Sequence, residues 1–424
     1  LAKQKKGLQF DIFILAKKSV KREPVPLCGV SCPGEKFGWC CNLFLLFLLL
    51  ASGARAQAGH PVCGADQPDQ YLTSLKGLRI GLVVNATSMV GGEHLVDFLA
   101  GNGIVPKRLF APEHGLRGDA DAGEQINNSV DAKTGIPIVS IYGKSRKPTT
   151  AQLKDIDLVL FDIQDVGCRF YTYVSTLHYV MEACAENNKE LMILDRPNPN
   201  GDYCEGPVLK KAFRSFVGVD PIPVVHGCTM GEMARMINGE GWLQNGAKCR
   251  LKVVPVRNYT HQTRYLPPVK PSPNLPDLSA IRLYPSLCLF EATSASIGRG
   301  TTFPFQVIGY PDRNFGEFSF TPRSLKGFEM DPIQKDKTCY GEDLRKLNEI
   351  PHFTLRYFLA WYKKFDQAGD FLTKENWFNL LMGDDQILKF IQAGKSEAEI
   401  TASWQEELNR YKVIRSKYLL YRSD

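Results

Sequence analysis

At 424 residues and 44% hydrophobic composition, the chain can bury at least one full core and has room for two domains. Its formal charge of +7 is concentrated at one end: residues 1–56 carry nine Lys/Arg against three Asp/Glu, leaving 43 against 42 beyond them. That near balance speaks against a broad nucleic-acid-binding field.

The first element in chain order is the apolar run LFLLFLLL at 43–50, too short to cross a bilayer as a mature helix. It precedes Ala51-Ser-Gly-Ala-Arg-Ala56, where Ala54 and Ala56 give the small-x-small pattern of a signal-peptidase site. Residues 1–56 are therefore expected to be a leader and signal peptide, with a mature start near Gln57 and export to the periplasm or the extracellular cell envelope. The chain begins at Leu1 and its first methionine is Met89, so a leader of this length exceeds the usual span of about 15–30 residues. The expectation is a true start nearer the apolar run, with much of residues 1–35 not native. A buried hydrophobic strand is the competing reading of LFLLFLLL. The cysteines beyond Ala56 are widely spaced, unlike a zinc knuckle or a small disulfide scaffold, and Cys184 suits a buried apolar position.

From Leu78 onward, short apolar runs alternate with polar elbows and helix-like segments. LRIGLVVNATS (78–88), PKRLFAPEHG (106–115), IPIVSIYG (136–143), IDLVLFDIQDVG (156–167) and ELMILDRPNPNG (190–201) read as strands with polar exits. Helical connections are expected at 92–101, 149–155 and 172–187, and Thr229-Met-Gly-Glu232 is a capping box opening another helix that ends near Asn238-Gly239. This order predicts an α/β fold: a Rossmann-like, mostly parallel sheet covered by helices. The Gly91-Gly92 pair is not a G-x-G-x-x-G fingerprint and there is no P-loop, so neither NAD nor ATP is implied, and no cofactor is expected. Prolines 267, 268, 271, 273 and 276 mark a stiff linker or an ordered crossing loop. The simplest division is a catalytic domain over 71–276 and a smaller mixed α/β domain over 277–424. Two helices are expected in the last 45 residues, the second opened by the capping box Ser396-Glu-Ala-Glu399.

Because ligands in open parallel sheets gather beyond the carboxyl ends of the strands, the polar elbows are candidates for one pocket. Glu113, in Phe110-Ala-Pro-Glu-His-Gly-Leu-Arg-Gly118, is the leading acid: Pro112 and Gly115 restrict and bend the exit, and partial desolvation of such a glutamate suits it to protonate a glycosidic oxygen. Glu124, in the following loop, is the candidate second carboxylate that glycosidases require. The competing readings are that Glu113 pairs with Arg117 or accepts backbone hydrogen bonds, and that Glu124 is solvated. His114 is a candidate to orient a carboxylate or bind substrate, and Arg117 is a candidate to bind substrate. In Asp162-Ile-Gln-Asp165-Val-Gly-Cys-Arg169-Phe-Tyr171-Thr-Tyr173, Asp165 and Arg169 either face the pocket or pair with each other. Tyr171 and Tyr173 offer flat faces suited to a sugar. Arg169 suits a bidentate grip on a carboxylate. Asp195 and Asn198, in DRPNPNG, suit sugar hydroxyls or an acetamido group, or else a structural turn, and His226 and Glu232 add polar contacts. These carboxylates and histidines carry no compact metal-ligand spacing, so no metal is expected.

Seven ordered blocks together resemble the NamZ-like exo-beta-N-acetylmuramidase family, formerly a domain of unknown function: FAPEHGLRGDADAGE (110–124), DIQDVGCRFYTY (162–173), DRPNPNG (195–201), HGCTMGE (226–232), PSPNLP (271–276), YPSLCLFEATSASIGRGTTFPF (284–305) and SWQEELNRYKVIRSKYLLY (403–421). The resemblance runs from about Leu75 to Tyr421. It implies a Rossmann-like domain joined to a smaller mixed one, an active cleft near their junction, and hydrolysis of terminal beta-1,4-linked N-acetylmuramic acid from peptidoglycan-derived saccharides or muropeptides. It supports Glu113 as the acid, brings Glu124 to the same site, and makes Glu291 and Arg299 candidates to recognise the acidic sugar from the second domain; an interdomain salt bridge is the alternative for that pair. Glu124 then either activates water or stabilises positive charge while the substrate's acetamido group assists, and the stereochemical route stays open. The competing function is a non-catalytic envelope protein that binds the same sugar. Oligomeric state is not specified by the sequence.

Overall fold

The computed structural model describes residues 59–423 apart from 114, 118–128, 144 and 366–367, and apart from the side chains of 368 and 369. The expected leader with its apolar run, His114 and Glu124 lie outside the described residues. Residues 59–424 form one compact unit.

The strands fall where continuous apolar runs predict them: β1 (Ile80–Val84), the short hairpin β2 (Met89–Val90) and β3 (Glu93–His94), β4 (Arg108–Ala111), β5 (Ser129–Val130), β6 (Pro137–Ser140), β7 (Leu158–Asp162), β8 (Glu190–Leu194) and β9 (Arg250–Val254). Seven of them make one sheet in the order β5-β6-β4-β1-β7-β8-β9, parallel throughout except for β5 at the edge. Numbered by chain order, the parallel strands run 3-2-1-4-5-6, the doubly wound arrangement whose direction of winding reverses between β1 and β7.

Burial on both faces explains the unbroken apolar runs, since alternate side chains feed opposite layers. Val83, Phe110, Val159, Phe161 and Ile193 point into one core, while Leu82, Val84, Leu109, Leu160 and Met192 point into the other. The expected connections appear as helices Leu95–Gly101, Thr150–Leu153 and Tyr173–Glu186. Helix Met230–Glu240 opens on the Thr229/Glu232 capping box and closes on Gly241, whose left-handed conformation (φ 70°) costs glycine little.

The carboxy-terminal part contains a small antiparallel sheet, β10 (Val307–Tyr310), β12 (Cys339–Asp343) and β11 (Phe318–Phe320), with β12 central. Its helices bury Phe358, Trp361 and Phe378 in the same continuous core that receives Val83 and Phe161 from the large sheet. The Ser396/Glu399 capping box is present, but its helix is short, Glu397–Ala402, and the chain restarts as Gln405–Ser416. The proline-rich stretch is an ordered crossing loop: Pro271 accepts a hydrogen bond from the buried Tyr171 hydroxyl at 2.6 Å. All eight cysteines from Cys63 to Cys339 are free thiols.

Candidate active site

Three strand exits meet at Glu113. The β4 run ends at Ala111, and Pro112 and Glu113 lead into a turn closed by Gly115 N–H to Pro112 C=O at 3.1 Å. Gly115 sits at φ 75°, a conformation that a side chain would strain, so the expected bend is there. From the β6 exit, the Tyr142 hydroxyl donates to Glu113 Oε1 at 2.9 Å. From the far end of the β7 exit, the Thr172 hydroxyl donates to Oε2 at 2.8 Å. Tyr173 reaches the Glu113 main-chain carbonyl at 3.4 Å. Burial, and then the neighbouring Glu113 charge, push the Tyr142 phenol above its ordinary range, so it stays a hydrogen-bond donor.

Glu113 opens on a cleft of about 410 Å³, large enough for a sugar unit. One wall holds Tyr142, Phe170, Tyr171 and Thr172; the crossing loop contributes Ser272, Asn274 and Leu275; the other wall comes from Tyr284, Glu291, Arg299, Glu329, Lys374 and Trp377. Tyr171 is packed edge-on between Tyr173 (centroids 4.9 Å apart) and Tyr284 (5.9 Å), which fixes its ring in the wall.

Glu291 and Arg299 both line the cleft and pair with each other at 2.5 Å, while Arg299 also lies 3.6 Å from Glu329 and covers the Phe305 ring. The pair is a salt bridge within this one segment, placed on the cleft wall. Lys374 has no ion-pair partner among the described residues, and its main-chain N–H is anchored to Ala292 C=O at 3.0 Å.

Several residues expected in the pocket are built into the interior, and none of them is among those lining the cleft. Arg169 is 1% exposed and gives its guanidinium to the carbonyls of Pro207, Ile222 and Leu381 at 2.8–2.9 Å, so it grips main chain where a substrate carboxylate was expected. Asp165 closes a turn on Gly167 N–H and faces buried His226, 3.4 Å away. Asp195 accepts from Thr229 and Tyr421 hydroxyls, each at 2.6 Å, and from Gly231 N–H. Asn198 bridges Asn200 N–H and Cys228 C=O. Glu232, besides its capping role, accepts from His261 and from the N–H groups of Leu420 and Tyr421. Arg117 pairs with Asp131 and Asp97, and Glu113 is not its partner.

For Asp195 and Glu232 the cover is the far end of the chain, whose Leu420 and Tyr421 bond to them; Arg169, Asp165 and Asn198 are held by main chain and side chains of nearer loops and of Leu381. Tyr142, Thr172, Asn274, Lys374 and Trp377 were not singled out from sequence. Tyr142 follows the same strand-exit rule that marks Glu113, and Asn274 lies inside the PSPNLP block, but the cleft positions of Lys374 and Trp377 leave no local signal.

The fold has counterparts among known proteins. The profile described as "Exo-beta-N-acetylmuramidase NamZ, N-terminal" matches residues 80–279, and its C-terminal companion matches residues 282–421. A Bacillus subtilis (strain 168) protein named "Peptidoglycan beta-N-acetylmuramidase NamZ" is 38% identical over 375 residues, covering 84% of this chain and 89% of that one. The crystal structure of one DUF1343 family protein of Bacteroides fragilis NCTC 9343 superposes with a TM-score of 0.79 at 44% identity, over 86% of this chain and 99% of that one. A second from the same organism gives 0.75 at 30% identity, over 85% and 99%. With both profiles matched in order across the two sheets and the cleft that Glu113 faces, the chain belongs to the NamZ exo-beta-N-acetylmuramidase family.

Proposed function

We propose that this chain is an exo-acting glycoside hydrolase that releases terminal beta-1,4-linked N-acetylmuramic acid from peptidoglycan fragments, with Glu113 as its general acid. The observation that carries the reading is a carboxyl group held at both oxygens by hydroxyls from two other strand exits, on the wall of a sugar-sized cleft. Such a grip fixes the plane of the carboxyl before substrate arrives, as proton transfer in the transition state requires.

In its acid form Glu113 gives its proton to the glycosidic oxygen as the bond to the terminal anomeric carbon breaks. Water then supplies the new hydroxyl at that carbon. Glu124, by the family resemblance, is the second group: it either takes the water's proton or stabilises the developing positive charge while the acetamido group assists. Tyr171 and Trp377 present aromatic surface to the sugar. Lys374 receives the lactyl carboxylate, because Arg299, the other cation among the described residues lining the cleft, is already opposed by Glu291 and Glu329. Residues 71–276 form the catalytic domain in this reading, and residues 277–424 complete the cleft. The protein works after export, in the periplasm or on the cell envelope.

The test is a chromogenic beta-N-acetylmuramide beside the matching N-acetylglucosaminide. Turnover of the first, abolished by Glu113→Gln in folded protein, is expected; a folded wild type inert towards the muramide overturns the reading.

A further inference from the structure

Asn274 sits between Pro273 and Leu275 in the crossing loop, 2% exposed, on the wall of the cleft. Its Nδ2 lies 3.0 Å from the carbonyl of Phe328. A carbonyl can only accept, so this contact fixes which end of the amide is NH2 and leaves Oδ1 at the other. Its backbone is pinned as well: Asn274 N–H donates to the Ser272 hydroxyl at 3.2 Å and Leu275 N–H to the Ser272 carbonyl at 3.0 Å. The amide therefore has little freedom to turn.

Oδ1 is buried and has no hydrogen-bond partner. Among the described residues, it is the one such orphaned side-chain atom that belongs to a residue lining the cleft. A buried acceptor without a donor is costly, and its occurrence on the wall of a binding cleft points to a donor brought by the ligand.

One N–H of Nδ2 is on Phe328, and what the unpartnered Oδ1 lacks is a donor. Resting on the muramidase reading above, the terminal sugar offers two kinds of donor: hydroxyls, which can also turn to accept, and the 2-acetamido N–H, which can only donate. Its ring oxygen and ionised lactyl carboxylate only accept. A fixed acceptor matches best the donor that has no other use for its position, the N–H. We propose that Asn274 Oδ1 accepts the 2-acetamido N–H of the terminal sugar, which makes Asn274 a specificity-determining residue for 2-acetamido over 2-acyloxy or 2-hydroxy sugars. A site built to bond an N–H rejects the analogue that lacks it, since the acceptor is then left buried and alone.

The experiment compares equilibrium binding of N-acetylmuramic acid with that of its 2-acetoxy analogue, by calorimetry, in the wild type and in Asn274→Ala, with turnover of a chromogenic muramide followed in parallel. Wild type is expected to bind the acetamide roughly tenfold or more tightly than the ester. Asn274→Ala is expected to bind both within about twofold of the wild-type affinity for the ester. Binding, unlike rate, is blind to any participation of the acetamido oxygen in the chemistry. Equal wild-type affinities for acetamide and ester overturn the inference, as does an alanine variant that keeps the wild-type preference. Should Asn274→Ala fail to fold, Asn274→Ser is read in the same way. Turnover without discrimination sinks this inference alone, whereas a wild type that neither binds nor cleaves the muramide sinks the muramidase reading and this inference with it.

Discussion

The Thr172 hydroxyl lies 2.8 Å from Glu113 Oε2, although Thr172 occupies the N-cap position of the helix Tyr173–Glu186. A threonine there ordinarily bonds its own helix, but Thr172 has helical backbone angles (φ −63°, ψ −6°) and makes no capping bond. The helix forgoes its cap, and the hydroxyl is turned to the carboxyl that the β4 exit delivers. An unused cap costs about 1 kcal/mol, so local stability is given up here for the position of Glu113.

Removing that hydroxyl should therefore affect rate more than folding. Thr172→Val and Tyr142→Phe are each expected to lower kcat on a chromogenic muramide by roughly tenfold, with KM changed by less than about threefold. The double variant should fall further. Steady-state kinetics beside thermal unfolding checks this, and an unchanged kcat in both single variants would show that the grip on Glu113 is not used in the reaction.

Lys374 stands at the N-cap of the helix Glu375–Met382 without a capping bond, a place where side-chain oxygens are preferred and a cation is opposed by the helix dipole. Lys374→Met is accordingly expected to leave stability unchanged or slightly raised. KM for the free-acid muramide should rise about tenfold, while the neutral lactyl methylamide is handled as by wild type. Lys374→Arg should recover most of the loss. Equal losses on acid and amide would remove Lys374 from carboxylate recognition.

Arg169→Leu separates a structural arginine from a substrate-binding one. Three main-chain carbonyls lose their donor, and the expected cost is on the order of 3 kcal/mol or more of folding stability. KM for the muramide in the protein that remains folded should be near wild type. Urea unfolding and kinetics on the same preparation decide it; intact stability with a much raised KM would return Arg169 to the substrate.

Asp195 gives the protein a pH-dependent term remote from the cleft. Burial pushes its carboxyl up to about 6, against the opposing pull of the Thr229, Tyr421 and Gly231 hydrogen bonds. The folded protein then binds this proton more tightly than the unfolded chain, whose carboxyl titrates near 3.8. The contribution is fully present below about pH 3.8 and is lost as pH rises through about 6, a swing on the order of 3 kcal/mol from this one group. Asp195→Asn should reduce the difference between unfolding free energies at pH 4.5 and pH 7.5. A variant with the wild-type pH slope would show that Asp195 does not titrate in this range.

Much of the architecture was legible from residue order. Runs such as Leu158–Asp162 and Glu190–Leu194 are apolar on both alternating faces, which only a strand covered on both sides can bury, so a parallel sheet with helices around it followed from pattern alone. Glu113 was legible for a related reason: Pro112 and Gly115 bracket it at the end of such a strand, and the end of a strand in this fold faces a ligand unless something covers it.

Whether something covers it is the question that local pattern does not answer. Asp195 obeys the same strand-exit logic as Glu113, yet it is interior, as is the capping Glu232, because Leu420 and Tyr421, more than 180 residues further along, close over them. Asn274 and Lys374 reach the cleft through the converse event, a crossing loop and a distant helix brought against β4 and β7 by the shared core. The sequence by itself determined the sheet, its two apolar faces and the carboxyl at the β4 exit, because spacing along one segment decides which of its sides must be dry. Only the tertiary structure decided which polar elbows meet solvent and substrate, because that depends on contacts between segments whose separation along the chain carries no periodic signal.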